Sequence, residues 1–186
     1  GEPVGTRGPA VSVDQGFTWH WLNKDFTTRR FTYAFAPAET EVWFAFGMVY
    51  TQREWERFTA SLGASPFLEI GQLTVTRKGR KVEKVRLGRI RSEPRQRVLV
   101  TARHHCCEMM ASYVLEGLVA GVLADDEKGR WLRENVEFLV IPFMDKDGSE
   151  DGDQGKGRAP RDHNRDYDGT SVHLETAAIR DQIPKW

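Results

Sequence analysis

Two short groups of polar residues in this sequence have the types and spacing that metal-assisted chemistry requires. The first contains His105 and Glu108, directly after the apolar run 97–101. Three residues apart at a helix start, an imidazole and a carboxylate can face the same side. Zinc accepts nitrogen and oxygen donors, and catalytic zinc sites commonly use three protein ligands and a water. The pair therefore indicates part of a metal site, although a solvated histidine beside an ordinary first-turn acid gives the same pattern.

The second group, residues 161–165, follows the apolar run 136–142 and contains Asn164 and Arg165. An arginine offers a fork of donors that matches a carboxylate with two parallel hydrogen bonds. A neighbouring asparagine adds a further donor and acceptor. This pattern is typical of a site for a carboxylate, and equally of a charged, solvated loop.

The hydrophobic pattern predicts the elements that must position both groups. The runs 97–101 and 136–142 are typical of strands buried on both faces, and a helix is predicted between them, from about 107 to 124. Strand, helix, strand and a long loop predict a parallel pair of strands in an α/β domain. Ligands collect beyond the carboxyl ends of such strands, so we expect the two groups to meet there. Further predictions are a helix from Thr51 with a capping box to Glu54, strands at 67–76 and 81–87, and a last helix at 171–183.

The first part of the chain has a different pattern. Aromatic residues recur at a period of two between residues 17 and 46, which predicts short antiparallel strands. Residues 1–16 have no such period and are interpreted as a leading segment or a frayed strand. Residues 37–40 are a plausible junction between two units.

Composition excludes some classes of function. The 27 basic and 27 acidic residues balance, so no overall field favours nucleic acid or an anionic membrane. No apolar stretch approaches the roughly 20 residues of a membrane helix. The two cysteines, Cys106 and Cys107, are adjacent and do not form a disulfide framework. The chain opens at Gly1 without methionine, so a targeting segment could have been removed or never included.

Together the two groups resemble the zinc metallocarboxypeptidase family, most closely its cytosolic-carboxypeptidase-like branch. That branch has the motifs Ala-Arg-x-His-Pro-Gly-Glu, Asn-Pro-Asp-Gly and Gly-Arg-Asp-Leu-Asn-Arg. The matching residues are Ala102, Arg103, His105 and Glu108, then Asp147 and Gly148, then Arg161, Asp162, Asn164 and Arg165. The resemblance covers roughly residues 40–186.

The resemblance implies a fold and a domain organisation. The expected fold is α/β, with a mixed, largely parallel sheet and flanking helices. Residues 39–186 would form the first part of the catalytic domain. Residues 1–38 would form the C-terminal part of an all-β sandwich domain, which precedes the catalytic domain in this branch.

The resemblance also implies an activity and roles for residues. His105 and Glu108 would bind one Zn²⁺, and Asp162 would hydrogen-bond the other ring nitrogen of the histidine. Asn164 and Arg165 would hold the C-terminal carboxylate of a peptide or protein substrate. Hydrolysis would use metal-activated water. Among locations the cytoplasm is favoured, and the oligomeric state is open.

The sequence departs from the family pattern in several places. Cys106 and Cys107 replace Pro-Gly, which places thiols beside a metal site where either could bind metal or oxidise. In the family an arginine stabilises the oxyanion, and near its place this chain has Gly155, with Lys156 and Arg158 as substitutes. We assign the catalytic role to Arg158, although an ordinary loop arginine gives the same pattern. The third zinc ligand, a histidine, and the general-base glutamate are expected after Trp186, so the 186 residues alone are expected to be inactive.

Three other interpretations compete with that of a carboxypeptidase. Aspartoacylase-like deacylases share the His/Glu pair and Asn-Arg, but usually continue with a Phe-Pro-Gly-like turn, where this chain has residues 166–168 as Asp-Tyr-Asp. A non-catalytic module would still grip peptide carboxylates through Asn164 and Arg165. An EF-hand-like calcium loop from Asp147 is disfavoured, because its twelfth position is Arg158 rather than glutamate.

Overall fold

The computed structural model describes residues 5–186, so the start of the leading segment, residues 1–4, lies outside the described residues. The chain divides into two compact units, Gly1–Val49 and Tyr50–Trp186. Each unit has its own sheet. Among the helices of residues 5–186, none is long and apolar enough to span a lipid bilayer.

The first unit is a small antiparallel sheet of three strands in the order β2-β1-β3. The strands are β1 (Ala10–Ser12), β2 (His20–Trp21) and β3 (Trp43–Ala45). The central strand, β1, is fully buried, although its sequence was interpreted as a leading segment or frayed strand. A strand of three residues is too short to show a period of two, which explains the difference. A small β domain therefore precedes the second unit, as expected.

The second unit contains a four-stranded mixed sheet in the order β4-β5-β7-β6. Its strands are β4 (Leu68–Val75), β5 (Lys81–Gly88), β6 (Gln96–Thr101) and β7 (Val136–Ile141). β6 and β7 are parallel, whereas β4 with β5 and β5 with β7 are antiparallel. The mixed sheet with flanking helices is confirmed, but one of its three strand pairs is parallel and two are antiparallel, so the expectation that it is largely parallel is wrong for the described residues.

Five α-helices accompany this sheet. They are α1 (Gln52–Ser61), α2 (Met110–Leu123), α3 (Glu127–Asn135), α4 (Lys146–Asp151) and α5 (Leu174–Gln182). The predicted capping box at the start of α1 is present, with the backbone N–H of Thr51 donating to Glu54 at 2.8 Å. The sequence analysis did not predict α3, whose polar sequence shows little apolar periodicity. Asp126 caps this helix by accepting a hydrogen bond from the backbone of Gly129.

The central strand, β7, divides the core between the two faces of the sheet. Its residues Val136, Phe138 and Val140 pack in a cluster with residues of α1, α2 and β5. Leu139 and Ile141 point to the opposite face and pack with Ile179 of α5. Alternate side chains of a strand point to opposite faces, so one buried strand contributes to both cores. This packing fixes β7, and with it the loop that carries the second group of candidate residues.

Candidate active site

The two loops that carry the candidate residues leave the sheet side by side. Thr101 at the end of β6 lies opposite Ile141 at the end of β7. Beyond the strands, the backbone N–H of Met144 donates to the carbonyl of Ala102, and that of Asp145 to the carbonyl of Arg103, both at 2.9 Å. The expectation that both groups of polar residues meet at one edge of the sheet is confirmed.

His105 and Glu108 face each other in the first loop. His105 Nδ1 lies 3.2 Å from Glu108 Oε1. The turn between them is closed by a backbone hydrogen bond from Glu108 to His105 at 3.1 Å. Helix α2 begins at Met110, so Glu108 precedes the helix rather than lying in its first turn.

Asp162 holds the other side of the His105 ring. Its carboxylate oxygens lie 3.1 and 3.2 Å from His105 Nε2. The backbone N–H groups of Asn164 and Gly157 also donate to Asp162, at 2.8 and 3.1 Å. Burial raises the pKa of Asp162, but these hydrogen bonds outweigh burial, and its pKa lies below the ordinary value. An ionised Asp162 favours the tautomer that carries its proton on Nε2.

This tautomer leaves two acceptors facing each other. The lone pair of His105 Nδ1 and the carboxylate of Glu108 would then face each other at 3.2 Å, an arrangement that a cation bound between them would stabilise. Partial burial raises the pKa of Glu108, but the neighbouring His105 and Lys156 outweigh it and lower the pKa. Two donors that each lie about 2.0–2.1 Å from a tetrahedral zinc are separated by roughly 3.3 Å. The nitrogen and oxygen present therefore fit a zinc ion in both type and spacing.

Asn164 and Arg165 lie in a single 3₁₀ turn, His163–Arg165, whose N-cap is Asp162. Both residues are exposed. Within residues 5–186, neither side chain forms an ion pair or hydrogen bond, so the guanidinium and amide are available to a ligand. Asp162 touches the His105 ring and also caps this turn, so one carboxylate links His105 to the turn that carries Asn164 and Arg165.

Asp166 anchors the segment after this turn, and the sequence analysis did not identify it. It is completely buried and accepts hydrogen bonds from the backbone of Val172 and His173, at 2.9–3.0 Å, and from the Thr176 hydroxyl. Arg161 donates to the same carboxylate at 3.2 Å. The arginine of the matched motif therefore supports the loop.

Arg158, to which the sequence analysis assigned the catalytic role, is engaged by two carboxylates. Its guanidinium lies 2.7 Å from the buried Asp145 and 2.9 Å from Asp153. It also lies 3.7 Å from Cys106 Sγ. Burial lowers the pKa of Arg158, but these carboxylates outweigh burial and raise it. The role of Arg158 at an oxyanion stays a prediction. In this structure its guanidinium forms ion pairs with Asp145 and Asp153.

Gly155 lies beside His105, and Lys156 lies beside Glu108. A Cβ atom at Gly155 would lie 2.7 Å from the backbone nitrogen of Cys106 and 3.1 Å from His105 Cα, and the backbone φ of Gly155 is +84°. No side chain fits there without movement of the His105 backbone. Lys156 follows directly, and its Nζ lies 3.2 Å from Glu108 Oε1.

Arg103 and Cys106 of the first loop form hydrogen bonds within the protein. Arg103 is buried and donates to the carbonyls of Cys106 and Tyr50, at 2.8 and 2.9 Å, and to the Ser112 hydroxyl at 3.0 Å. The Cys106 thiol donates to the Asp153 carbonyl at 3.0 Å. Burial, with the nearby Asp145, raises the pKa of Cys106 to about 12. A thiol that stays protonated is a poor metal ligand and a poor nucleophile.

A hydrogen bond between His104 and Tyr167 forms a second link between the two loops. His104 Nε2 lies 2.6 Å from the Tyr167 hydroxyl. Burial, together with neighbouring His105, lowers the pKa of His104, and burial with Asp166 raises the pKa of Tyr167 to about 12. Both groups are therefore neutral at pH 7. Nothing in the spacing of the sequence indicated this contact.

His163, His173 and Glu175 form a buried cluster behind the 3₁₀ turn. His173, just before α5, is 8% exposed, and its Nε2 lies 2.7 Å from the Arg161 carbonyl. The three side chains approach closely enough to suggest a metal site. However, the His163 and His173 rings stack with centroids 3.7 Å apart and planes 16° apart. Nitrogen lone pairs lie in the ring planes, so stacked rings cannot both point at one ion.

The aspartate-rich stretch that follows β7 forms α4 rather than a calcium loop. Asp147 and Asp151 both pair with Arg80, at 3.0 and 2.8 Å. Asp151 also contacts Lys78. These carboxylates are neutralised by neighbouring cations of the β4–β5 turn.

The fold of this chain is similar to those of solved structures. Over 95% of the chain it resembles a metallo-carboxypeptidase from Burkholderia cenocepacia, with a TM-score of 0.77 and 23% identity, and covers 49% of that chain. A metallo-carboxypeptidase from Pseudomonas aeruginosa gives a TM-score of 0.76 at 24% identity, over 95% of this chain and 48% of that one. These likenesses show the fold.

The family follows from the sequence comparison. The family model for zinc carboxypeptidases matches residues 57–178, and the chain belongs to this family. It is 26% identical to cytosolic carboxypeptidase 3 of Mus musculus, over 77% of this chain and 15% of that protein. It is 35% identical to cytosolic carboxypeptidase 4 of Homo sapiens, over 48% of this chain and 8% of that protein. The chain thus spans a small part of the length of these relatives. All four proteins are carboxypeptidases, so the deacylase alternative is not favoured.

Proposed function

We propose that residues 50–186 supply part of the active site of a zinc-dependent carboxypeptidase, which removes residues from the free C-terminus of a peptide or protein. The observation that carries the proposal is the facing pair of His105 Nδ1 and Glu108 Oε1, 3.2 Å apart, with Asp162 on the far side of the ring. The membership of the zinc carboxypeptidase family supports it.

The family resemblance implies each proposed role, and the surroundings of each residue are compatible with it. His105 and Glu108 would hold the zinc ion, and Asp162 would orient the imidazole. Bound there, zinc polarises the scissile carbonyl and lowers the pKa of a water. Asn164 and Arg165, exposed and linked to the metal pair through Asp162, would bind the carboxylate at the end of the substrate. The resemblance adds a third histidine ligand and a glutamate base outside these residues.

A non-catalytic peptide-binding module is the second candidate. The ion pair between Lys156 and Glu108, at 3.2 Å, favours it, because this cation satisfies the carboxylate without a metal. The exposed Asn164 and Arg165 would then still bind a C-terminal carboxylate. Zinc content and turnover separate the two functions.

We propose the cytoplasm as the location of the protein. The support is indirect: several relatives are named cytosolic carboxypeptidases. To test the proposal, cells that produce the full-length protein are fractionated, and the protein is detected in each fraction with an antibody to this chain. Recovery in a secreted fraction would contradict the proposal.

The decisive experiment measures zinc content and hydrolysis in the full-length protein that contains these residues. Peptides with a free C-terminus are compared with the same peptides amidated. We expect about one zinc per molecule, lost in His105→Ala, and hydrolysis of the free-acid peptide alone. Arg165→Ala should keep zinc but lower kcat/KM by roughly 100-fold or more, because it removes a bidentate, charge-assisted contact.

Lys128→Ala provides a matched control, because Lys128 is an exposed residue of α3. This variant is expected to bind zinc and hydrolyse peptides as the unaltered protein does. If the protein binds no zinc and hydrolyses nothing, but binds free-acid peptides through Arg165, the binding module is correct and the enzyme is not.

A further inference from the structure

The side chain of Lys156 contacts Glu108, one of the two proposed zinc ligands. Its Nζ is 3.2 Å from Glu108 Oε1, the oxygen that also lies 3.2 Å from His105 Nδ1. Its side chain is half exposed, so the ammonium can swing on its flexible stem without losing buried contacts. It can therefore reach a ligand bound beside Glu108.

The neighbouring positions cannot supply this cation. Gly155 lies against the backbone of His105 and Cys106, and a Cβ there would overlap Cys106 Sγ at 2.8 Å. The Arg158 guanidinium is held between Asp145 and Asp153, at 2.7 and 2.9 Å. Moving it to a substrate would leave Asp145, whose side chain is 3% exposed, as an unpaired buried charge, at a large cost in free energy.

We propose that Lys156, and not Arg158, is the catalytic side chain that stabilises the negative charge formed on the substrate. This inference rests on the proposed carboxypeptidase function. When water adds to the scissile carbonyl carbon, a C–O bond forms and the π electrons of the C=O bond move to its oxygen. The water loses its proton to the carboxylate base that the family resemblance implies. The Lys156 ammonium keeps its proton and donates a hydrogen bond to the new oxyanion.

The ion pair with Glu108 holds the Lys156 ammonium in a defined position. A cation placed near the reacting oxygen in advance needs little reorganisation when charge develops. The same position also opposes zinc, because both cations approach one carboxylate oxygen. Removal of the lysine charge should therefore weaken stabilisation of the oxyanion and, at the same time, strengthen zinc binding.

The test uses the zinc-loaded full-length protein and two variants of matched length, Lys156→Met and Lys156→Arg, with Lys128→Met as the control on an exposed lysine of α3. We expect Lys156→Met to lower kcat/KM by roughly 100-fold or more and Lys156→Arg to recover most of it. A phosphonate peptide, whose tetrahedral anion imitates the charged intermediate, should bind to Lys156→Met more weakly by a similar factor. The product peptide, which lacks that charge, should bind with unchanged affinity.

A second readout is the affinity for zinc itself, measured by competition with a chelating dye and independent of turnover. Lys156→Met should bind zinc more tightly than the unaltered protein, and Lys128→Met should not differ from it. Unchanged kcat/KM and phosphonate affinity in Lys156→Met would overturn the role of Lys156 and leave the carboxypeptidase function intact. A zinc-loaded protein that hydrolyses no free-acid peptide would overturn both.

Discussion

His163 shows how a single side chain can link the site to the stability of the protein. It lies between Asp162 and Asn164 in sequence, yet it is 3% exposed, and its Nδ1 has no hydrogen-bond partner among the described residues. Burial lowers the pKa of His163 to about 4, and the attraction of Asp145, 3.7 Å away, only partly offsets burial. The imidazole is therefore folded into the protein in its neutral form.

This burial predicts a loss of stability in mild acid. The unfolded chain binds a proton at His163 near its ordinary pKa of about 6.5, whereas the folded chain does so only near 4. Between these values the unfolded state holds more protons, so the free energy of unfolding falls as pH falls. The full effect is on the order of 3 kcal/mol, since each pKa unit corresponds to about 1.4 kcal/mol.

Urea unfolding of the 186-residue chain at pH 7.5 and pH 4.5 measures this difference. His163→Leu should reduce the loss, because leucine has no charge to gain. His20→Leu is the control at an exposed histidine of β2, and it should retain the full loss. An unchanged pH dependence in His163→Leu would mean that other groups carry the acid sensitivity.

Strands β6 and β7 show what local sequence can and cannot determine. Both are short apolar runs, and the sequence predicted both as strands buried on both faces. All six residues of β7 are buried, whereas the first four residues of β6 are exposed. The difference comes from pairing with distant residues: β7 lies between β5 and β6, while β6 lies at the edge of the described sheet.

Two leucines in register across these strands provide a matched test. Leu99 of β6 pairs with Leu139 of β7, but Leu99 is 38% exposed and Leu139 is 1% exposed. Leu139→Ala should lower the free energy of unfolding by about 2–5 kcal/mol, because it leaves a cavity in the cluster with Ile141 and Ile179. Leu99→Ala should cost less than about 1 kcal/mol, because the site is already partly hydrated. Equal losses in urea unfolding would contradict the assignment of β6 to the edge.

Sequence was informative where the signal is local. The capping box predicted the start of α1, and the order of strand, helix and strand predicted that the two groups containing His105 and Asp162 meet. Prediction from sequence failed where a residue's position depends on partners that are distant in sequence. The burial of His173 depends on contacts with Arg161 and on stacking with His163. The engagement of Arg158 depends on Asp145, thirteen residues away in sequence, and a spacing alone cannot reveal such a partner.

The balance of charge over the whole molecule bears on how copies of this chain behave together. The chain has 27 basic and 27 acidic residues, and a pI near 7.2. At neutral pH no net charge keeps copies apart. An edge strand with apolar side chains and unpaired backbone groups is a template for pairing with another chain. On β6 these conditions coincide, because Val98 and Leu99 are 36% and 38% exposed.

We therefore expect the 186-residue chain to self-associate at neutral pH through β6, reversibly and with rising concentration. Val98→Lys should shift the molecules towards monomer, since a charge on an edge strand opposes pairing with a second copy. Val114→Lys is the matched control, because Val114 is 70% exposed but lies within α2, where the backbone donors are engaged inside the helix.

Sedimentation velocity at several concentrations, at pH 7 and at pH 9, separates the contribution of net charge from that of the edge strand. Association that disappears at pH 9 in both lysine variants and in the unaltered chain would implicate net charge. Association that Val98→Lys alone abolishes at pH 7 would implicate the edge, because both variants gain the same charge.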